Sequence, residues 1–180
     1  MYRIKKDKRV LRSSKLICDG LNQILLTKKF EQINVSELTE ASGVSRGTFY
    51  RIFDSPIDVL AYMCDSLVEE AEDEFLKRRS NSRDELTLFF LSFWMEHCFL
   101  LESIQRSGKT ELAVKAMRKR PELYKIEGGR ALTDSEAEFY GSTFAGAMSG
   151  LLSVWTQHGC KQNVIEMFNI FKKVVDILHQ

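Results

Sequence analysis

One stretch, residues 34–53, constrains this chain more than any other: it reads NVSELTEASGVSRGTFYRIF. Asn34, followed three residues later by Glu37, predicts a capping box at the start of a short helix. Gly43 predicts the end of that helix, because glycine adopts the left-handed conformation without a steric clash at Cβ. One face of the helix carries apolar side chains every three residues: Val35, Leu38 and Ala41.

A second short helix follows the turn directly. Ser45 predicts its N-cap, and Phe49 and Phe53, at i and i+4, predict its buried face. Two helices joined by a three-residue turn, with a basic and hydroxyl-bearing outer face on the second, indicate a DNA-binding helix-turn-helix. A plain αα-hairpin on a protein surface is the alternative. The outward-facing side chains are Arg46, Thr48, Tyr50 and Arg51.

The amino-acid sequence of the turn and of the second helix is distinctive. Residues 43–50 read GVSRGTFY. This closely resembles the signature of the TetR family of bacterial transcriptional regulators, which runs approximately AGVS-x-GTFY-x-YF. The resemblance covers about residues 10–60 by motif, and beyond them it rests on length and a helical pattern. The matching residues are Ala41, Gly43, Val44, Ser45, Gly47, Thr48, Phe49, Tyr50 and Phe53.

The resemblance implies an all-α fold with two domains. A three-helix DNA-binding head with the helix-turn-helix would span residues 1–55, and a helical ligand-binding and dimerisation domain would span residues 56–180. It also implies a homodimer that binds a palindromic operator in double-stranded DNA. Together with the outward-facing side chains, it gives these predicted DNA-binding residues: Ser36, Ser45, Arg46, Gly47, Thr48, Tyr50 and Arg51.

Two positions depart from the family pattern. Pro56 stands where the family usually has a lysine that often binds phosphate, and Ile52 replaces a usual aromatic residue or histidine. The phosphate contacts expected at these two positions are therefore open. Arg51, Lys28 and Lys29 are the basic residues nearby that can take their place.

Charge is distributed unevenly along the chain. The formal net charge is +1, but residues 1–53 carry eleven Lys or Arg against five Asp or Glu, and the remaining residues carry fifteen against twenty. A basic head suits contact with nucleic acid, although chance asymmetry is an alternative. Residues 1–9, MYRIKKDKR, form a basic arm that either frays or contacts phosphates or the minor groove.

The rest of the chain has a helical period throughout. Ser55 before Pro56 predicts the start of a long helix that reaches residues 78–79. A capping box at Ser82 and Glu85 predicts a helix to about Arg106 that is rich in aromatic residues. Further capping boxes predict the last two helices: Thr133 with Glu136, and Asn163 with Glu166.

Several classes of function have no support in the sequence. Cys18, Cys64, Cys98 and Cys160 are widely spaced among apolar neighbours, which predicts reduced, buried thiols in a cytoplasmic protein. The basic N-terminus precedes no apolar run, and no stretch reaches the ~18 apolar residues of a membrane helix, so we expect no signal peptide and no membrane partner. No nucleophile–base pair, phosphate loop or structural zinc spacing is present, which predicts a non-enzyme without metal or cofactor.

The aromatic helix after Ser82 has two interpretations. It predicts either an apolar effector pocket beside the long preceding helix or ordinary core packing. For His97 alone, ordinary packing is favoured. The candidate pocket residues are Met63, Leu67, Phe90, Phe93, Trp94 and His97.

The last two helices predict a dimer interface. The penultimate helix has a face of small residues, and the final helix is apolar over more than half its circumference, more than one intramolecular contact needs. An ordinary intrachain core is the alternative. The predicted interface residues are Thr143, Ala147, Gly150, Leu151, Val154, Phe168 and Phe171.

The sequence therefore predicts a TetR-type regulator. The leading hypothesis is a homodimeric repressor that a small apolar effector releases from its operator. Two alternatives stay open: a TetR-like activator, and a DNA-binding regulator that a protein partner or abundance controls without a small effector.

Overall fold

The structure is a computed structural model. It describes residues 2–4, 7–79, 82–124, 126–127 and 130–178. Of residues 121–122, 126–127, 130–131 and 178 it describes the backbone alone. Lys5 and Lys6 of the basic arm lie outside the described residues.

The described residues form nine α-helices, which confirms the predicted all-α fold. Two short 3₁₀ turns, Phe30–Gln32 and Pro121–Tyr124, and one antiparallel pair of two-residue strands, Ile126–Glu127 and Arg130–Ala131, complete the secondary structure. The sequence had predicted no strand. The helices are α1 Lys8–Leu25, α2 Val35–Ser42, α3 Arg46–Ile52, α4 Pro56–Lys77, α5 Arg83–Glu96, α6 Cys98–Arg106, α7 Glu111–Arg118, α8 Asp134–Gln157 and α9 Val164–Leu178.

Helices α8 and α9 begin at the positions that their capping residues predicted. At α8, the Thr133 hydroxyl accepts from the backbone N–H of Glu136 at 3.3 Å, and the Glu136 carboxylate accepts from the Thr133 N–H at 2.8 Å. At α9, Asn163 accepts from the Glu166 N–H at 3.1 Å, and Glu166 accepts from the Asn163 N–H at 2.8 Å. These bonds satisfy backbone donors that a helix N-terminus otherwise leaves unpaired.

The predicted single helix from Ser82 to Arg106 is wrong, because the chain bends by 77° between α5 and α6. At the bend, the backbone N–H of His97 donates to the Phe93 carbonyl at 3.2 Å, and its ring nitrogen Nδ1 lies 2.8 Å from the same oxygen. A side chain that inserts at a helical carbonyl is a recognised cause of a kink. Within the described residues, no single helix is long and apolar enough to cross a membrane. The bent α5–α6 pair passes that test only when its two helices are taken together.

The described chain divides into two compact units. The first comprises residues 1–66 and 103–112, and the second residues 67–102 and 113–180. The core of the first unit contains Ile17, Leu21, Leu38 and Phe49, each fully buried.

The second unit has an aromatic core. The Phe144 ring lies 6.1 Å from Phe90 and 5.9 Å from Tyr124, measured between centroids. The Trp155 indole N–H donates to the Gln162 carbonyl at 3.0 Å, which joins the end of α8 to the start of α9. Aromatic pairs at these distances stabilise a fold by about 0.5–1.5 kcal/mol beyond area burial.

The four cysteines are free thiols, as predicted, but only Cys64 is buried and the others are half-buried. Burial raises the pKa of the Cys64 thiol to about 12, and Asp65 adds to the shift. No group of three or more His, Cys, Asp or Glu side chains in the described residues is arranged to hold a metal ion.

Candidate nucleic-acid interface

The helix-turn-helix is built by local interactions that the sequence specifies. Asn34 and Glu37 form the predicted capping box of α2. Gly43 has a φ of +65°, so the left-handed turn residue is a glycine for a steric reason. The Ser45 hydroxyl then accepts from the Thr48 N–H at 3.2 Å and starts α3. A short turn between two capped helices fixes the angle at which α3 leaves α2.

A tight core lies beneath this motif. Phe49 and Phe53 are fully buried, as predicted, and Val44 in the turn is 8% exposed. Gly20 of α1 permits close approach to α2, because a Cβ built on it would lie 3.0 Å from the Ser42 backbone nitrogen. Ala41, predicted on the buried face of α2, is exposed instead, since α2 buries Leu38, Thr39 and Ser42.

The predicted DNA-binding residues are accessible on the helix-turn-helix motif. Thr48 is half-buried and the six others are exposed, with Tyr50 at 52%. The Arg46 guanidinium donates to the Ser36 hydroxyl, which ties the base of α3 to α2. We name this surface the recognition face. Its residues are Ser36, Ser45, Arg46, Gly47, Thr48, Tyr50 and Arg51.

The start of the chain packs against the C-terminal end of the motif, which the sequence did not reveal. The Arg3 N–H donates to the Ile52 carbonyl at 2.8 Å, and its guanidinium lies 2.7 Å from an Asp54 carboxylate oxygen. Tyr2 forms an isolated antiparallel bridge with Phe53, and its hydroxyl donates to Asp65. Two residues of the predicted basic arm therefore have a structural role here.

The structure gives a packing or backbone reason for each of the two departures from the family pattern, Ile52 and Pro56. Ile52 is 1% exposed, so an aliphatic side chain fills a core position there. Pro56 opens α4, where its fixed φ suits the first helical turn. Lys28 pairs with Glu37 and thereby lowers the pKa of that carboxyl below its ordinary value, whereas Lys29 is exposed.

The predicted pocket residues fall into different environments. Phe90, Phe93 and Trp94 are buried, and the Phe93 and Trp94 rings meet edge to face at 6.2 Å. The His97 ring packs on Phe93 at 4.6 Å. Met63 and Leu67 are half-buried. An effector site at these residues stays a prediction.

Two buried aromatic side chains of the second unit carry polar groups. Within the part of the chain that the structure describes, the Trp94 indole N–H and the Tyr124 hydroxyl have no hydrogen-bond partner. Trp94 is 1% and Tyr124 2% exposed, so water does not compensate either group at the surface. Sequence reasoning noted the Trp94 ring but missed Tyr124.

The predicted dimer residues of α8 form an exposed stripe. Thr143, Ala147 and Gly150 are exposed, and Val154 is 51% exposed. Phe139, which the sequence reading missed although it lies four residues before Thr143, extends the stripe and is 73% exposed. Leu151, Phe168 and Phe171 are half-buried, and Phe171 contacts Phe144 at 6.2 Å.

The final helix adds further exposed apolar side chains to the second unit. Four large aliphatic side chains of α9 are 42–60% exposed. A helix that buries one face and leaves several large aliphatic side chains in water is typical of an interaction surface. These side chains are Ile165, Ile170, Val174 and Ile177.

The chain is similar to known regulators. It is 42% identical over 53 residues to the HTH-type transcriptional regulator EthR of Mycolicibacterium smegmatis. That match covers 29% of this chain and only 24% of the relative. No known family profile matches the chain.

Solved structures share the fold along nearly the whole chain. Lin0861 from Listeria innocua superposes with a TM-score of 0.82 at 18% identity, over 98% of this chain and 96% of that one. The TetR family repressor AlkX from a Dietzia strain, implicated in biodegradation of n-alkanes, gives 0.58 at 14% identity, over 92% and 95%.

The fold and the recognition face define a class: an all-α protein with a helix-turn-helix head. Within that class the residues 43–50 carry the TetR signature, and solved TetR-type structures share the fold. In sequence signature and in fold, the chain is therefore similar to the TetR family of transcriptional regulators.

Proposed function

We propose that this chain represses transcription by binding a palindromic operator in double-stranded DNA as a homodimer, and that a small, mainly apolar effector releases it. The recognition face is the observation that carries this proposal. Its basic and hydroxyl-bearing side chains are exposed on a rigid motif that Phe49 and Phe53 anchor from below. A rigid, exposed helix of this kind fits the major groove of B-DNA.

Arg46 and Arg51 take different roles in this proposal. Arg46 lies in the first turn of α3, where recognition helices contact base edges. An arginine that pairs with a guanine supplies about 1–3 kcal/mol of discrimination. Arg51 lies in the last turn of α3 and is assigned to a phosphate. A phosphate contact adds affinity for any sequence and makes binding more sensitive to salt.

The test begins with binding sites selected from a pool of random-sequence duplexes. Arg46→Ala is expected to weaken binding to the selected site by about 1–3 kcal/mol and to relax preference at one base pair per half-site. Arg51→Ala should weaken all duplexes alike and lower the salt slope by about one. Lys115→Ala, an exposed charge on α7, is the control. Unchanged specific and non-specific binding in both arginine variants would refute the groove assignment.

The homodimer rests on the exposed stripe along α8. Its centre, at Gly146 and Ala147, is small, and its ends, Phe139 and Val154, are large and apolar. The stripe is nearly symmetric about its midpoint. Two antiparallel copies related by a two-fold axis therefore set Phe139 opposite the partner's Val154, which is the self-complementary pattern of an isologous interface. Such a dimer presents two heads to half-sites about 34–36 Å apart.

Gly150→Leu tests this interface. A Cβ built on Gly150 meets no atom of its own chain within 4 Å, so the protomer accommodates the side chain. In the proposed dimer it overpacks the crossing, at about 1–3 kcal/mol. Light scattering at micromolar concentration is expected to give a dimer for the wild type and a larger monomer fraction for the variant. Glu138→Leu, exposed on another face of α8, is the control. A monomeric wild type would refute the dimer.

The effector proposal draws on the Trp94 indole N–H and the Tyr124 hydroxyl. A buried donor without a partner destabilises a fold by about 1–3 kcal/mol. Burial raises the pKa of Tyr124, with Tyr140 and Glu72 adding to the shift, so the hydroxyl remains protonated and able to donate. An effector that carries an oxygen acceptor on an apolar body would satisfy such a donor among aromatic side chains.

The effector test compares alkanes with alkanols and alkanoates of equal chain length. A ligand that binds the folded state raises the melting temperature by mass action. We expect the oxygen-bearing compounds to stabilise the wild type and release it from DNA, and Trp94→Phe to respond less. If no compound changes stability or DNA binding, regulation without a small effector, by a protein partner or by abundance, is the better account.

A further inference from the structure

A surface groove in the second unit has a chemistry unlike that of the recognition face or the α8 stripe. It lies along α5 beside the C-terminal half of α4 and has a volume of about 410 Å³. Three phenyl rings line it, and three carboxylate side chains are exposed around it. We call it the aromatic groove. These six residues are Phe75, Phe89 and Phe93, and Glu74, Glu85 and Glu96.

The three rings form a continuous aromatic surface. The Phe75 and Phe89 centroids are 5.3 Å apart, and the Phe89 and Phe93 rings are stacked at 5.9 Å with 27° between their planes. Each side chain is only 5–6% exposed, so the packing holds the rings firmly in place. The face of a phenyl ring carries the negative part of its quadrupole. A cation that reaches a ring face in this fixed surface is therefore attracted to it.

The chain already places one cation of its own at this surface. The Arg78 guanidinium carbon lies 4.6 Å from the Phe89 centroid, and its Nη2 lies 2.6 Å from a carboxylate oxygen of Glu74. Ring face and carboxylate together thus hold a positive group here. The Arg78 side chain is 54% exposed, and an exposed i, i+4 ion pair is weak, so this guanidinium can be displaced easily.

Two further carboxylates extend the negative rim. Glu85 and Glu96 lie eleven residues apart on one face of α5, which is about 16 Å along the helix axis. Glu96 accepts from the Ser92 hydroxyl at 3.3 Å. Among the described residues, neither carboxylate pairs with a Lys or Arg. Three carboxylates therefore face one guanidinium, which leaves a formal charge of −2 around an apolar floor.

We propose that the aromatic groove binds an organic cation with an apolar body, of the aryl or alkyl quaternary ammonium class. The charge of a quaternary ammonium is spread over alkyl groups that pack against aromatic rings, and this is the mode in which proteins bind such ligands. The carboxylates attract the cation from solution and disfavour anions of the same shape. The proposal does not depend on DNA binding.

The test uses two probes of the same shape. Phenyltrimethylammonium carries the charge, and tert-butylbenzene replaces its nitrogen with carbon. Ligand-detected NMR and calorimetry on the full-length protein measure both. We expect the cation to bind about three- to thirtyfold more tightly than the neutral probe, the range that cation–aromatic attraction supplies. Affinity for the cation should also fall as salt rises.

Three variants locate the site. Glu85→Gln and Glu96→Gln are each expected to weaken cation binding about two- to fivefold. Arg78→Ala should strengthen it by a similar factor, because the variant clears the Phe89 face and removes a repelling charge. Glu138→Gln and Arg118→Ala, exposed elsewhere in the second unit, are the matched controls. Operator binding, measured on the same proteins, should not change.

Four results would each overturn the proposal. They are equal affinity for the neutral probe, no binding of the cation at millimolar concentration, cation binding that neither glutamate variant alters, and weaker cation binding in Arg78→Ala. The first indicates a purely apolar cleft, and the third indicates a site elsewhere. None of these results bears on the DNA proposal, which fails only in the duplex-binding assays.

Discussion

Gly141→Ala is the sharpest test of how the second unit is packed. Gly141 lies inside α8, and a Cβ built on it would be 2.5 Å from Cδ2 and 2.6 Å from Cε2 of Tyr124. Carbon atoms normally approach to about 3.5–4.0 Å, so the added methyl group is about 1 Å too close. Tyr124 has little room to withdraw, because it is 2% exposed and its ring centroid lies 5.9 Å from those of Tyr140 and Phe144.

The expected magnitude combines two opposing effects. Replacing glycine by alanine inside a helix stabilises it by about 1 kcal/mol. Overpacking a well-filled core destabilises by about 1–3 kcal/mol, occasionally more. Since the clash here involves a ring held on several sides, we expect a net loss of about 1–2 kcal/mol in the free energy of unfolding.

Gly47→Ala, in α3 and outside the proposed dimer interface, is the control, because an added Cβ there meets nothing within 4 Å and only the helix-propensity gain of about 1 kcal/mol remains. The two variants should therefore differ by about 2–3 kcal/mol, or about 4–12 °C in melting temperature. Thermal and urea unfolding, followed by circular dichroism at fixed protein concentration, measure the difference. In a Tyr124→Ala background, Gly141→Ala should cost much less. A Gly141→Ala protein as stable as Gly47→Ala would refute this packing.

Two further predictions concern other parts of the chain. Tyr2→Phe removes the hydroxyl that donates to Asp65, and Tyr2→Ala also removes the ring contacts with Phe53 and Tyr62. Thermal unfolding should therefore show a smaller loss of melting temperature for Tyr2→Phe than for Tyr2→Ala. If the N-terminal segment merely frays, neither variant will change the melting temperature. Burial raises the pKa of Glu72 despite the Arg120 guanidinium 3.0 Å away. The folded chain therefore binds this proton more tightly than the unfolded chain does. In urea titrations, the stability of the wild type should fall relative to that of Glu72→Gln as the pH rises from about 4 to 7.

The helix-turn-helix could be predicted from the sequence because its determinants are local. Asn34, Gly43 and Ser45 act within three residues of the backbone groups that they cap or turn. Phe49 and Phe53 lie one helical turn apart, so their shared burial follows from the period alone. For the same reason, the predicted starts of α8 and α9 were correct. The prediction that Ala41 lies on the buried face of α2 was wrong, because its exposure depends on which neighbours α2 packs against.

The features that escaped prediction depend on long-range contacts. The bridge between Tyr2 and Phe53 joins residues 51 positions apart, and no periodicity links them. The bend at His97 depends on a side-chain nitrogen that reaches the Phe93 carbonyl, in a stretch whose composition alone favours an unbroken helix. Exposure of Phe139 is likewise invisible in the sequence, where an aromatic residue at helical spacing indicates burial.

The aromatic residues of α5 show that composition alone does not determine which side chains share an environment. The sequence predicted either one apolar pocket or ordinary core packing, but the i, i+4 pairs divide between two environments. Phe90 is buried against Phe144, with Trp94 one turn further along, whereas Phe89 and Phe93 line the aromatic groove. The polar groups nearby differ in kind. Trp94 supplies a buried donor without a partner, which calls for an acceptor, and the groove supplies carboxylates, which call for a cation. The two proposed ligands of α5 therefore differ in charge, and alkanols and quaternary ammonium probes test both proposals in a single set of proteins.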